Sequence, residues 1–253
     1  MSQLDGKVAI VTGGTRGIGS VIAARLLAEG ASVVVCGRHE PERFPAANGR
    51  TAVFVPADVR EPEQAARVVE AAVTRFGRLD ILVNNAGGAP PADAATSSPR
   101  LFGKVVGLNL LAPFYVAQPA NAVMQHQAEG GLIINIGSVV THSPPPGAAA
   151  YAAAKAGLTV LTRALALEFG PRVRVNQVTV GLVHTESAAG YYGDEAGERA
   201  IAALIPAGRM ATPDDVADAC LLLASPLAGY VSGAELRVDG GGEPPARFVA
   251  AQP

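Results

Sequence analysis

Seven short apolar runs, β-branched residues prominent in most, alternate with helix-period segments along this chain, and that alternation admits few folds. The runs fall at 7–12, 32–36, 52–56, 81–84, 132–136, 174–178 and 235–238, and helices are predicted over 18–29, 62–76, 99–124, 151–169 and 213–224. Strands that are apolar at consecutive positions are buried on both faces, so helices must cover each side of a parallel sheet. The expected fold is a three-layer α/β sandwich. No repeat or linker interrupts the 253 residues, so 1–253 is read as a single domain, large enough to bury roughly 70 to 75% of its unfolded surface. One connection is thin: 37–50 holds Pro41, Pro45 and Gly49, which predicts a single turn plus loop in place of a crossover helix. Residues 242–253, rich in Pro and Ala, read either as a loosely held tail or as an arm reaching a neighbouring subunit.

Composition removes several function classes. At 49% hydrophobic the chain cannot be disordered, and twenty basic against twenty-two acidic side chains lack the footprint of a nucleic-acid binder. The uncharged stretch 105–128 carries Asn109, Gln118, Asn121 and Gln125, with Pro113 and Pro119 interrupting it, and reads as a buried helical region, not a membrane span. No basic segment followed by an apolar one occurs at 1–6, so a cytoplasmic location is expected. Cys36 and Cys220 make neither a disulfide framework nor a CxxC metal site. They read as small core side chains, and no metal site is expected.

The first strand runs into Thr12-Gly13-Gly14-Thr15-Arg16-Gly17-Ile18-Gly19, and an apolar-periodic helix begins at once. Glycines there let backbone approach a pyrophosphate, and the helix start supplies free N–H groups and a positive dipole end. In that context the turn is a dinucleotide site. A Walker A loop fails, because Ser20 stands where its lysine must be. The end of the second strand holds Gly37 and Arg38 where an NAD-specific fold has an acid. A guanidinium binds a 2′-phosphate that a carboxylate would repel, and Arg16 adds a second cation. The cofactor reading is therefore NADP(H), with NAD(H) still open.

Tyr151 and Lys155 lie four apart in an Ala-rich segment, hence on one helix face. A phenol, with an ordinary pKa of about 10, is a poor base until a nearby ammonium favours phenolate. So assisted, it can exchange a proton with an oxygen passing between carbonyl and alcohol. The chain has only Lys7, Lys104 and Lys155 against seventeen arginines. Ser138 follows the fifth strand, where its hydroxyl can donate to a substrate carbonyl. Asn135-Ile136-Gly137-Ser138-Val139 lacks the second glycine of a nucleophile elbow, and nothing fixes His142 as a base. Taken singly, each of these features also fits a purely structural role.

The glycine turn, Asn84-Asn85-Ala86-Gly87, Ser138, and Tyr151 with Lys155, in this order and at these separations, resemble the short-chain dehydrogenase/reductase family from Lys7 to about Gly241. The resemblance implies a single Rossmann-like domain with a seven-stranded parallel sheet and a catalytic tetrad of Asn109, Ser138, Tyr151 and Lys155. By it, Asn109 holds a water linking Lys155 to bulk solvent. Cofactor contacts are implied at Gly13, Thr15, Arg16, Gly17, Ile18, Gly19, Arg38, Asp58, Val59, Asn85, Ala86, Gly87, Tyr151, Lys155, Gly181, Val183 and Thr185. Asp58 is placed at the adenine and Thr185 at the nicotinamide carboxamide, although Val180 stands where the family has proline. Asn176 belongs to the same resemblance, and Gly240 and Gly241 match the family's closing turn. The helix from Tyr151, apolar on nearly every side, implies pairing across a dimer axis and a homotetramer or homodimer.

The implied activity is an NADP(H)-dependent ketoreductase on a neutral or hydrophobic small-molecule ketone or secondary alcohol. Its pocket is expected along 88–91, 139–147 and a lid from Val183 through Tyr191, Tyr192 and Ile205. The alternatives are a catalytically silent NADP-binding sensor or scaffold and an NAD-linked alcohol dehydrogenase. No nucleic-acid or membrane partner is expected.

Overall fold

The structure, a computed structural model, describes residues 3–185, 192 and 194–242. Tyr191 of the expected lid and the tail 243–253 lie outside the described residues. In chain order the elements are β1 Val8–Thr12, α1 Gly17–Ala28, β2 Ser32–Gly37, β3 Ala46–Ala47, β4 Arg50–Thr51, β5 Val53–Pro56, α2 Pro62–Phe76, β6 Ile81–Asn84, α3 Pro99–Val106, α4 Ala112–Gln125, β7 Gly131–Ser138, α5 Ala149–Phe169, β8 Val173–Val180, α6 Glu195–Leu204, α7 Pro213–Ala224 and β9 Glu235–Val238. Seven strands form one wholly parallel sheet in the order β5-β2-β1-β6-β7-β8-β9.

Ile22 and Leu26 of α1 with Val216 and Cys220 of α7 cover one face, over Val11, Val35 and Val178. Val68 of α2, Val116 and Met124 of α4 and Leu165 of α5 cover the other, over Ile10, Val34 and Ile133. This is the Rossmann-like three-layer α/β sandwich that consecutive apolar positions dictate. Both cysteines are buried, and burial pushes each thiol up to about 12.

Four details differ from the sequence expectation. The thin connection contains a small antiparallel hairpin, β3 with β4, in addition to loop. Its tip is Asn48-Gly49, both at positive φ (50° and 74°), the pair that a two-residue hairpin turn favours. Asn48 Nδ2 donates to Ala28 O at 3.1 Å and ties the hairpin to the end of α1. The long helix 99–124 is not one regular element, because a π-helical turn, Gly107–Leu111, separates α3 from α4. Pro113 lacks the N–H that would close an α-turn onto Asn109 O, so the local register widens, with Ala112 N donating to Gly107 O. Length and apolar content would let Pro99–Gln125 cross a membrane, yet α4 packs on the sheet through Ala112, Val116, Ala117 and Met124.

The third difference is α6, which no prediction covered. Asp194 caps it, accepting Gly197 N at 3.0 Å, and Glu195 and Glu198 occupy its first turn, a start signal that the Ala and Gly around it obscured. Finally, β7 and β8 outrun their apolar cores, pairing from Gly131↔Val173 to Ser138↔Val180. The added positions are Gly131, Gly137 and Ser138 on β7 and Val173, Thr179 and Val180 on β8, while the buried amides inside the runs find side-chain partners. Asn135 Nδ2 donates to Thr162 Oγ1, and Gln177 Nε2 to Thr159 Oγ1 and Thr179 Oγ1.

Candidate active site

The strand order reverses between β1 and β6, and a cleft of about 1980 Å³ opens at the carboxyl ends of the strands there. It exceeds the roughly 300 to 1,000 Å³ typical of a small-ligand pocket, leaving room for a dinucleotide and a substrate together. Gly13 and Gly17 take positive φ at 62° and 53°. A Cβ on Gly19 would lie 2.4 Å from Gly13 O, whereas one on Gly17 would meet nothing within 4 Å. The turn is thus tight behind and open in front. Arg16, the N-cap of α1, makes no side-chain cap, so the first-turn amides remain available to an anion. Thr12 and Asn85 brace this turn. Thr12 Oγ1 accepts Asn85 N and Ala86 N at 3.0 Å each, and Asn85 Nδ2 donates to Thr12 O at 2.9 Å. This donor-rich cradle fits a pyrophosphate.

Thr15, Arg16, Arg38, Asp58 and Val59 line one end of the cleft. Arg16 and Arg38 are exposed, and neither forms an ion pair among the described residues. Asp58, expected at the adenine, is held by Arg60: both its carboxylate oxygens accept from Arg60 Nε, at 2.9 and 3.2 Å. The Arg60 guanidinium holds the Asp58 carboxyl below the usual carboxylate range, with the charge of Arg38 adding to the effect. Arg60 also lines the cleft. Its two-residue spacing from Asp58 was the available signal.

At the other end, α5 carries Tyr151 and Lys155 into the cleft beside Ser138 at the end of β7. Lys155 is 4% exposed. Its Nζ donates to Ile136 O at 2.7 Å and lies 5.7 Å from the centre of the Tyr151 ring. Burial lowers the lysine pKa to about 8. Ser138 Oγ accepts the Val140 N–H at 3.3 Å, which uses a lone pair and leaves the hydroxyl hydrogen available. His142 is exposed, and its Nδ1 lies 2.9 Å from Thr141 Oγ1.

Asn109 is fully buried in the π-turn. Its Oδ1 accepts Gly88 N, and its Nδ2 donates to Gly88 O and Val105 O, all at 2.9 Å. Both amide hydrogens are therefore in use. A Cβ on Gly87 would sit 2.8 Å from Asn109 Oδ1 and 3.4 Å from Lys155 Nζ, so glycine alone lets the two side chains converge there.

The segment after β8 completes the cleft through Gly181, Val183 and Thr185. Val180 sits in register with Ser138 and Val238, and a Cβ on Gly181 would fall 2.8 Å from Asp239 Cα. Asn176 instead braces the approach to β9, with Nδ2 donating to Val231 O at 2.8 Å and Oδ1 accepting Ala234 N at 3.0 Å. Gly240 and Gly241 turn the chain after β9, both at positive φ. Tyr192 lines the cleft and Ile205 is buried. The expected pocket wall 139–147 contributes Val139, Val140, Ser143 and Pro145.

A family described as enoyl-(acyl carrier protein) reductase matches residues 13–243. An uncharacterised oxidoreductase of Methylorubrum extorquens is 41% identical over 250 residues, covering 95% of this chain and 99% of that protein. A 3α-hydroxysteroid dehydrogenase of Mediterraneibacter gnavus is 36% identical, covering 94% and 97%. Among solved structures, a short-chain dehydrogenase/reductase of Serratia marcescens superposes with a TM-score of 0.85 at 36% identity, over 94% of this chain and 98% of that one. With the glycine turn, the sheet order and the Tyr151–Lys155 helix all in place, the chain belongs to the short-chain dehydrogenase/reductase family of oxidoreductases.

Proposed function

We propose that the chain, as one domain over 1–253, is an NADP(H)-dependent ketoreductase, or in reverse an alcohol dehydrogenase, acting on a neutral or largely hydrophobic ketone or secondary alcohol. The burial of Lys155 one helical turn from Tyr151, inside the cleft that the glycine turn borders, carries this reading. An ammonium in that position lowers the phenol's pKa from its ordinary value. Tyr151 then gives its proton to the carbonyl oxygen during reduction and takes the alcohol proton during oxidation. Ser138 donates a hydrogen bond to the same oxygen. Lys155 also holds the nicotinamide ribose, and its proton returns through a water at Asn109. Because the Asn109 amide hydrogens are in use, the water's partner is the backbone carbonyl that Pro113 cannot reach with an N–H.

The bound nicotinamide supplies the hydride. Gly13, Thr15, Gly17, Ile18 and Gly19 cradle the pyrophosphate; Asp58 and Val59 border the adenine; Asn85, Ala86, Gly87, Gly181, Val183 and Thr185 border the nicotinamide half. An NADPH-oxidation screen against ketones, 3-oxoacyl thioesters, quinones and sugars tests the reading, with turnover expected on apolar ketones. Tight NADPH binding with no turnover across that panel would favour a silent sensor.

Arg38 and Arg16 are assigned to the 2′-phosphate because both are exposed cations without an ion-pair partner among the described residues. Arg38→Asp replaces a charge-assisted pair by like-charge repulsion, several kcal/mol of difference. The ratio of kcat/KM for NADPH over NADH should fall at least a hundredfold. An unchanged ratio rejects the assignment.

A homotetramer is the proposed assembly. Val160 and Leu167, one heptad apart on α5, are 64% and 85% exposed, and a second apolar patch at Leu222, Leu227 and Tyr230 flanks the β9 edge. Two such patches on separate elements are what two symmetry axes would cover. Light scattering at micromolar concentration should give four chain masses, and a monomeric mass would contradict the proposal.

A further inference from the structure

We propose that Lys104 forms a tail subsite that binds the carboxylate of a ketone whose carbonyl sits at Tyr151, an inference that rests on the ketoreductase reading above. Leu101, Lys104, Val105 and Leu108 of α3 and the π-turn face the cleft together, at the i, i+3, i+4, i+7 spacing of one helix stripe. Three of the four are apolar. Leu101 and Val105 also line a small apolar cavity of about 20 Å³ against Tyr151, which puts this stripe on the substrate side.

Charge is distributed unevenly along the cleft. Its other charged side chains stand at the dinucleotide end with Arg38 and Arg60, or pair elsewhere, as Asp214 does with Arg25 at 3.0 Å. Buried Lys155 apart, Lys104 is the one charged group on the substrate side among the described residues. It is exposed and has no carboxylate within ion-pair distance among those residues, whereas Lys7 pairs with both Asp80 and Glu129. Arg100, exposed one turn earlier, adds like charge instead of relieving it. Apolar walls focus such an uncompensated field.

With the lysine's own reach, a carboxylate held at Lys104 is divided from the reacting carbonyl by the apolar wall of Leu101 and Val105. The substrate class is an apolar ketone with a distant carboxylate.

The test uses the full chain with NADPH and phenyl keto acids of graded chain length, each paired with its methyl ester. In the wild type, the acid-to-ester ratio of kcat/KM should rise to a maximum at an intermediate length. Lys104→Met should collapse that maximum on the order of five- to tenfold, through KM for the acid, and Lys104→Glu should invert the preference. Added salt should weaken the acid alone. Reduction of both series with a ratio that Lys104→Met leaves unchanged overturns the tail subsite only. Failure to reduce either series overturns the ketoreductase reading and the subsite with it.

Discussion

Tyr151→Phe is expected to lower kcat at least a thousandfold while leaving NADPH affinity within about twofold. A positioned general acid contributes on the order of 10²- to 10⁴-fold, and phenylalanine removes the reacting hydroxyl while keeping the ring against which Lys155 packs. No other side chain near the carbonyl replaces it, because Ser138 is an alcohol of much higher pKa and Lys155 Nζ is engaged by Ile136 O. Single-turnover NADPH oxidation separates this loss from slow release, and cofactor fluorescence reads the binding. The direction of pH dependence follows from the same proton. Oxidation needs the phenolate and should rise with pH through the tyrosine pKa, whereas reduction needs the phenol and should fall. Retained turnover in the variant rejects Tyr151 as the proton donor.

What the sequence concealed is instructive for the chemistry. The apolar cores of the seven strands were plain because burial on both faces leaves a one-dimensional trace. Their added ends were not, since Gly137, Ser138 and Thr179 leave no apolar trace, and the amides within the runs, Asn135, Asn176 and Gln177, are held by partners far along the chain, such as Thr162, Val231 and Thr159. Gly137 has a similar cause: a Cβ there would meet Gln177 Nε2 at 2.4 Å, a contact between neighbouring strands that spacing cannot report. The Asn48-Gly49 turn and the Asp194 cap were visible in local sequence and were masked by the Pro, Ala and Gly around them. At the site, an Asn in the middle of an apolar helix already demanded buried satisfaction, and Asn109 finds it at Gly88 and Val105. That its side-chain donors are then exhausted depends on how the Gly87–Gly88 backbone passes the π-turn, which only the fold determines. The engagement of Asp58 by Arg60 is the converse case, a local pair two residues apart that a motif comparison passes over.

Lys155→Met should abolish most activity and at the same time stabilise the fold. Burial has lowered this lysine from 10.5 to about 8, so folding at neutral pH carries the cost of confining its ammonium. At 1.36 kcal/mol per pKa unit that cost is about 3 kcal/mol. Methionine fills much the same volume without a charge, but it forfeits the hydrogen bond to Ile136 O, a loss of about 1 kcal/mol. The net expectation at pH 7 is a gain of about 2 kcal/mol in denaturant unfolding of the cofactor-free protein. The pH dependence gives the sign independently of the magnitude. Between about 8 and 10.5 the unfolded wild type binds the proton that the folded state has released, so wild-type stability rises with pH across that window. The variant lacks this rise. Its advantage should therefore shrink as pH increases from 8 and vanish or reverse near 10.5, where only the lost hydrogen bond remains. A variant less stable than wild type at pH 7, or an advantage that does not change across the window, would show that the Lys155 ammonium is not a strained group in the free enzyme. Activity should fall about a thousandfold in the same protein, since the phenol loses the cation that acidifies it. Opposite signs for stability and rate in one substitution are what a site built around a confined charge requires.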